Sequence, residues 1–366
     1  MTLILAVALT CLLGWLAVGK WAGRGWIAGL SLGFAAGAGL ISLEMFLYSL
    51  VRLPWSLGAL LFPWIPLFYA RVRERPRLER PAWPNWVECA ALAAMAAAPA
   101  AWLAYERVMP LNTRNWDAWA VWLFKGKAFY LDGGVAGFLS RVGEFTAEPS
   151  YPLLVPLWAA FLYGLEGAPA DHLAKFLSPC YFFALLGAFY WLARRFSSRP
   201  VALVFTAMLA NLQMVNIVAF ELAGYADTAF SVYLLVGAGC LYAWLREAQT
   251  ADLALAALFA SLAAWTKNEG LLFVAGVAGV AVWRLLARRV RDWRPWTVLL
   301  VPPVLTVVPW MAVRRFYGVP ASGLIEAAGW KWANLGPAVE SIITQAARPG
   351  TYNLAFWLLV ASLLAA

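Results

Sequence analysis

The sequence predicts an all-α polytopic membrane protein, a helical bundle of about eleven spans. Three observations carry this expectation. Apolar residues make up 63% of the 366 and charged residues 13%, against about 45–50% and about 25% in soluble domains. So few charges cannot clothe a soluble fold of this size. Mean hydropathy is +0.71, and apolar runs of roughly the 20 residues that cross a hydrocarbon core recur along the chain. Arginines gather in short loops between those runs, the habit of cytoplasmic loops. The same balance excludes a soluble enzyme, a disordered chain and a nucleic-acid binder, although the net charge is +9.

The expected spans are 2–19, 26–50, 54–70, 86–105, 174–193, 200–220, 227–245, 251–266, 270–284, 296–312 and 352–366. The first run lacks a basic segment before it and is followed by further spans, so it reads as a span rather than a signal peptide. Three basic clusters set the orientation: Arg71, Arg73, Arg75, Arg77 and Arg80; Arg194, Arg195 and Arg199; and Arg284, Arg288, Arg289, Arg291 and Arg294. Placing all three in the cytoplasm sends the span at 86–105 outward. Segment 106–150, with five basic and five acidic residues, then lies outside.

Parity decides the run 151–164. As a span it would put the Arg194–Arg199 cluster outside. It is short, opens on Tyr151-Pro152 and ends at Gly164 and Gly167. It therefore reads as an interfacial or re-entrant helix on the outer face. The outer face also receives the turn around Glu221–Asp227, the turn Lys267-Asn268-Glu269 and the segment 313–351. The apolar ending Leu358–Ala366 reads as the edge of a longer protein. Three units follow: an N-terminal three-span segment, 1–85; a core, 86–315; and an outer segment with a last span, 316–366.

Cysteine and histidine offer little chemistry. Cys11, Cys89, Cys180 and Cys240 lie in apolar stretches without paired spacing and read as packing residues. His172 is the single histidine, so no histidine cluster exists for a metal. The informative stretch is Asn115-Trp116-Asp117-Ala118-Trp119-Ala120-Val121-Trp122, followed by Lys125-Gly126-Lys127. Trp116, Trp119 and Trp122 recur at i, i+3 and are expected on one helical face, where indoles suit the headgroup belt. Asp117 falls in the first turn, where the macrodipole favours a carboxylate. It reads either as such a terminal residue or as a general base at the membrane surface. Lys125 and Lys127 read either as snorkelling cations or as phosphate ligands.

The order Trp-Asp-x-Trp, Lys-x-Lys, then an acid before Tyr151-Pro152-Leu153-Leu154 resembles the polyprenyl-phosphate-sugar-dependent glycosyltransferases of the GT-C class. These include the dolichyl-phosphate-mannose–protein mannosyltransferases and the lipid A aminoarabinose transferases. Gly224-Tyr225-Ala226-Asp227 and Thr266-Lys267-Asn268-Glu269-Gly270-Leu271 agree, each at an outer turn, and the resemblance covers roughly 86–315. It implies a GT-C-like bundle with outer-face juxtamembrane helices and a catalytic Asp in the first outer loop, here Asp117. Three departures stand out. Three spans precede the matching region, Glu148-Pro149-Ser150-Tyr151-Pro152 replaces a His-Pro-Pro opening, and no second acid adjoins Asp117.

The resemblance implies transfer of a sugar from a polyprenyl-phosphate donor to a hydroxyl acceptor on the outer face of a bacterial-type plasma membrane. A phosphate leaves without a general acid, so the enzyme needs one base and cations for the phosphate. The expected catalytic acids are Asp117, Asp227 and Glu148. The expected donor phosphate ligands are Lys125, Lys127, Lys267, Arg314 and Arg315, since arginine matches phosphate bidentately. Trp116, Trp119, Trp122 and Tyr151 are expected to stack on substrate. No cofactor is required, a divalent metal stays open though the sequence does not support one, and no nucleic-acid partner is expected. Lys267 alternatively forms a self-compensated turn with Glu269, and Glu44 inside the second span pairs or lines a cavity. A transporter or lipid flippase is the competing class, and a polysaccharide ligase or polymerase the competing enzyme. Against transport, the charges gather at one face and no inverted repeat is evident.

Overall fold

The computed structural model describes residues 1–21, 25–74, 90, 93, 95, 97, 99–101, 115–144, 148–320 and 335–348. Among these residues every regular element is helical. The longer helices are α1 (Thr2–Val18), α2 (Trp26–Leu50), α3 (Ile65–Glu74), α4 (Leu123–Asp132), α5 (Leu154–Glu166), α6 (Leu177–Phe196), α7 (Arg199–Ala210), α8 (Asp227–Glu247), α9 (Thr250–Thr266), α10 (Gly270–Ala287), α11 (Trp293–Phe316) and α12 (Leu335–Ala347).

Among the described residues, five helical stretches are long and apolar enough to cross a membrane: Trp26–Leu50, Asp171–Phe196, Asp227–Glu247, Gly270–Ala287 and Trp293–Phe316. A sixth forms if Arg199–Ala210 and Gln213–Glu221 count as one span bent by 64°. The expected spans at 2–19 and 251–266 are 17-residue helices, about 26 Å long against a core of about 30 Å. The expected span at 54–70 is interrupted: Leu57–Leu61 passes through a 3₁₀ turn, Phe62–Trp64, into α3. Pro63 in that turn supplies no amide donor. Most of 86–105 and all of 352–366 lie outside the described residues.

The run 151–164 forms the 13-residue α5, too short to span by length. It does not lie open on a surface, however. Leu154 to Tyr163 are all buried, and Trp158 donates from its indole to Thr10 Oγ1 of α1 at 3.2 Å. The helix is apolar on every side because it is packed on every side.

The polar groups sort to two ends. At one end, Arg71 donates to the Leu16 carbonyl at 3.0 Å. Arg195 at the end of α6 donates to Asp252 at 2.5 and 2.9 Å and to Glu247 at 2.8 Å. Arg284 lies over the Trp244 ring, 5.1 Å from its centroid. The expected Arg194–Arg199 cluster and the start of the Arg284–Arg294 cluster thus share an end. Arg75, Arg77 and Arg80 fall outside the described residues. At the other end, Trp265 closes α9 by donating to Ser42 Oγ of α2 at 2.9 Å. The next turns carry Lys267, Asp227 and Asp117.

Candidate functional site

Two π-helical turns and the chain reversals that flank them meet at this second end. Asp117–Trp122 is a π-helical turn leading into α4. Such turns recur at functional sites because i→i+5 bonding widens the coil and redirects side chains. Its approach is fixed by Asn115, which is buried and donates to the Glu221 carbonyl at 2.7 Å. Glu221 ends another π turn, Ile217–Glu221. The chain then reverses at Gly224, whose φ of +96° suits glycine alone. A Cβ there would also stand 2.8 Å from the Cβ of Ala118. Ser178 holds the reversal: it accepts from Gly224 N at 2.9 Å and donates to the Tyr225 carbonyl at 3.3 Å. Tyr225 in turn accepts the Asp117 amide on its hydroxyl at 3.3 Å.

Asp227 begins α8 and Lys267 terminates α9. Lys267 Nζ donates to Asp227 Oδ1 at 3.0 Å. Lys267 therefore bridges to another helix rather than closing on Glu269, which is exposed. Burial raises the Asp117 carboxyl above the ordinary carboxylate range; the Asp227 charge raises it further and Lys267 opposes. For Lys267, burial pulls downward, but Asp227, Glu269 and Tyr151 together hold it above the usual lysine value. The Tyr151 phenol is raised by burial and then by Glu269, with Lys267 opposing. Asp117, Tyr151, Tyr225, Asp227, Lys267 and Glu269 are thus one electrostatic unit.

The chain matches no protein-family model, no curated protein and no solved structure.

Of the expected catalytic acids, Asp117 and Asp227 come together; Glu148 is exposed at the rim, close enough for its charge to act on Tyr151. The expected phosphate ligands divide. Lys267 is in the cluster. Lys125 is not open to a ligand: it is fully buried, and its amine donates to the Glu148 carbonyl. Lys127 points elsewhere, to Asp171 at 2.9 Å, which Tyr163 also contacts at 2.6 Å. Arg314 shares the Lys267 end, since Trp310 one turn before it meets Trp265 at a 6.1 Å ring distance. It donates to the Pro320 carbonyl at 3.2 Å, and its buried Nε has no partner among the described residues. Arg315 is exposed.

The three tryptophans do not share a face. Trp116 and Trp119 form an exposed T-shaped pair with centroids 4.6 Å apart. Trp122 is 3% exposed and packs on Tyr151 at 5.2 Å. The i, i+3 expectation assumed an α-helix, and the π turn breaks that register. Trp122 is therefore a support for Tyr151 rather than a stacking surface.

Sequence reasoning missed Asn115, Ser178 and the hydroxyl of Tyr225. Asn115 and Tyr225 lie inside the two motifs that carry Asp117 and Asp227; Ser178, in the first turn of α6, carries no local signal. Among the described residues no group of three or more His, Cys, Asp or Glu side chains could hold a metal ion. An open apolar cleft of about 580 Å³ runs between α8 and α10, from Phe230 and Glu269 beside the cluster to Tyr242 and Leu245.

Proposed function

We propose that this chain is an inverting glycosyltransferase that moves a sugar from a polyprenyl-phosphate donor to a hydroxyl acceptor at the outer face of a bacterial-type plasma membrane. The observation that carries the reading is the convergence of Asp117 with Asp227 and Lys267. One carboxylate is raised and available as a base, and the second is occupied by the lysine.

Asp117 accepts the proton of the acceptor hydroxyl. The freed oxygen forms its bond to the anomeric carbon from the face opposite the donor phosphate, and the carbon–oxygen bond to phosphate breaks. The electron pair leaves with the polyprenyl phosphate, and the anomeric centre inverts. Lys267 and Arg314 are the cations for the leaving phosphate. Asp227 tunes both neighbours: it holds Lys267 protonated and raises Asp117, which makes Asp117 the stronger base. Trp116 and Trp119 offer ring faces to a sugar. The cleft between α8 and α10 offers apolar surface to a prenyl chain.

The test is transfer from a polyprenyl-phosphate sugar in proteoliposomes. Asp117→Asn should lower the rate by about 10²–10⁴-fold, the usual worth of a positioned base, with monodispersity and thermal midpoint unchanged. Full transfer by this variant would remove Asp117 from the mechanism. Counterflow of solute without a covalent product would replace the reading by transport.

A further inference from the structure

Lys125 is the least expected group near the site. It sits in the first turn of α4 with no exposed surface. The next residue explains how a lysine comes to be enclosed there. Gly126 faces α5 so closely that a Cβ would lie 2.8 Å from the Pro156 carbonyl oxygen and 2.9 Å from the Ala159 Cβ. That approach brings α4 and α5 together backbone to backbone beside the lysine.

The enclosed ammonium has a defined set of partners. Glu148-Pro149-Ser150-Tyr151 is a turn, closed by the Tyr151 amide donating to the Glu148 carbonyl at 3.3 Å, with proline at the position that favours such turns. Lys125 donates to the same carbonyl. Its amine also lies 5.6 Å from the Trp122 ring centroid and 5.9 Å from that of Tyr151, within cation–π range. Tyr151 is the ring whose ionisation is coupled to Lys267, Glu269 and Asp117. One cation thus holds a backbone carbonyl of the turn, the ring at the turn's end and the last ring of the π turn. Burial lowers this ammonium to about 7, with Glu148 opposing.

We propose that Lys125 is a positioning residue: its ammonium clamps the Glu148–Tyr151 turn onto the Asp117–Trp122 turn and so fixes Tyr151 beside Asp117. The clamp rests on contacts alone; its consequence for catalysis rests on the glycosyltransferase reading. Lys125 does not touch the donor. Its role is to keep the rim closed and the phenol in place.

Hydroxyl-radical footprinting read by mass spectrometry tests the clamp in the full chain. Trp122 is buried beneath the clamp, while Trp116 and Trp119 on the same turn are exposed references. Lys125→Met keeps the apolar stem and removes the charge. It should raise Trp122 labelling about tenfold, the scale of losing one charge-assisted hydrogen bond and a local closure. Trp116 and Trp119 should not change. Lys125→Arg should restore protection. Trp158, fully buried in α5, reports global unfolding and should stay protected. Unchanged Trp122 in Lys125→Met overturns the clamp. So does labelling of Trp158 in both Lys125→Met and Lys125→Gln, since Lys125 would then be a folding residue.

Transfer kinetics separate the two layers. Lys125→Met should lower kcat with KM for the donor unchanged, because Tyr151 acts on the charges of Asp117 and Lys267 and does not line the cleft offered to the prenyl chain. An opened footprint with unchanged kcat overturns the positioning role. An opened footprint in a chain whose wild type transfers no sugar leaves the clamp standing and removes the glycosyltransferase reading.

Discussion

The two ends of the bundle each carry an ionic cluster of one cation among several acids, balanced in opposite ways. At the arginine end, Arg195 spreads two donors over Asp252 and a third bond to Glu247. The buried acid, 5% exposed, receives a bidentate cation. At the other end Asp117, Asp227 and Glu269 share Lys267, which bonds Asp227. A satisfied cluster fixes helix ends. An unsatisfied one holds a carboxylate above its ordinary range, a mark of working sites more than of supports.

This contrast breaks cleanly if the assignments are reversed. The largest effects expected are a pair that do not overlap. Asp117→Asn should lower transfer by about 10²–10⁴-fold and leave the thermal midpoint in detergent unchanged. Arg195→Met should cost about 3–5 kcal/mol of stability, because it strands Asp252 buried without its cation. It should leave the transfer rate of the folded fraction near that of wild type. A destabilised Asp117→Asn, or an Arg195→Met variant as stable as wild type, would dissolve the distinction.

The next effect sharpens how the site end is tuned. A base works when deprotonated, so transfer should fall as pH drops through the raised Asp117 value. Asp227 raises that value and Lys267 lowers it. Asp227→Asn should therefore move the acid limb of the kcat profile to lower pH. Lys267→Met should move it to higher pH. Limbs that fail to separate in this order would show that Asp117 does not govern the profile.

What the sequence made legible follows the range of its signals. Composition and the apolar runs gave an all-helical chain with membrane-length helices, because burial in lipid requires both. The shared end of Arg195 and Arg284 was legible because short loops join antiparallel helices. Parity put Asp117, Asp227 and Lys267 at one face; that Lys267 bonds Asp227 beside Asp117 it could not supply. What parity cannot supply is register. It did not separate a 17-residue helix from a span, nor foresee that 54–70 breaks at Phe62–Trp64. The π turn escaped as well, since an i, i+3 tryptophan pattern in sequence assumes the coil that π bonding alters. Lys125 was misjudged for a related reason: a lysine two residues from another looks like a surface pair, and Gly126 gives no hint of how closely α5 approaches.

The smallest effect concerns the tryptophans that this register change sets apart. Trp116 and Trp119 meet edge to face on the exposed side of the turn that carries Asp117. An aromatic contact of this kind is worth about 0.5–1.5 kcal/mol. Trp119→Leu should therefore raise KM roughly 3- to 10-fold and leave kcat near its wild-type value, since the ring binds without touching the proton. Trp122→Leu, cut from beneath Tyr151, should do the reverse and lower kcat with the stability of the rim. If both substitutions change KM alone, the two rings serve one surface after all. If Trp119→Leu changes neither constant, the exposed pair belongs to the lipid headgroups, and sugar recognition lies with the polar groups of the cluster.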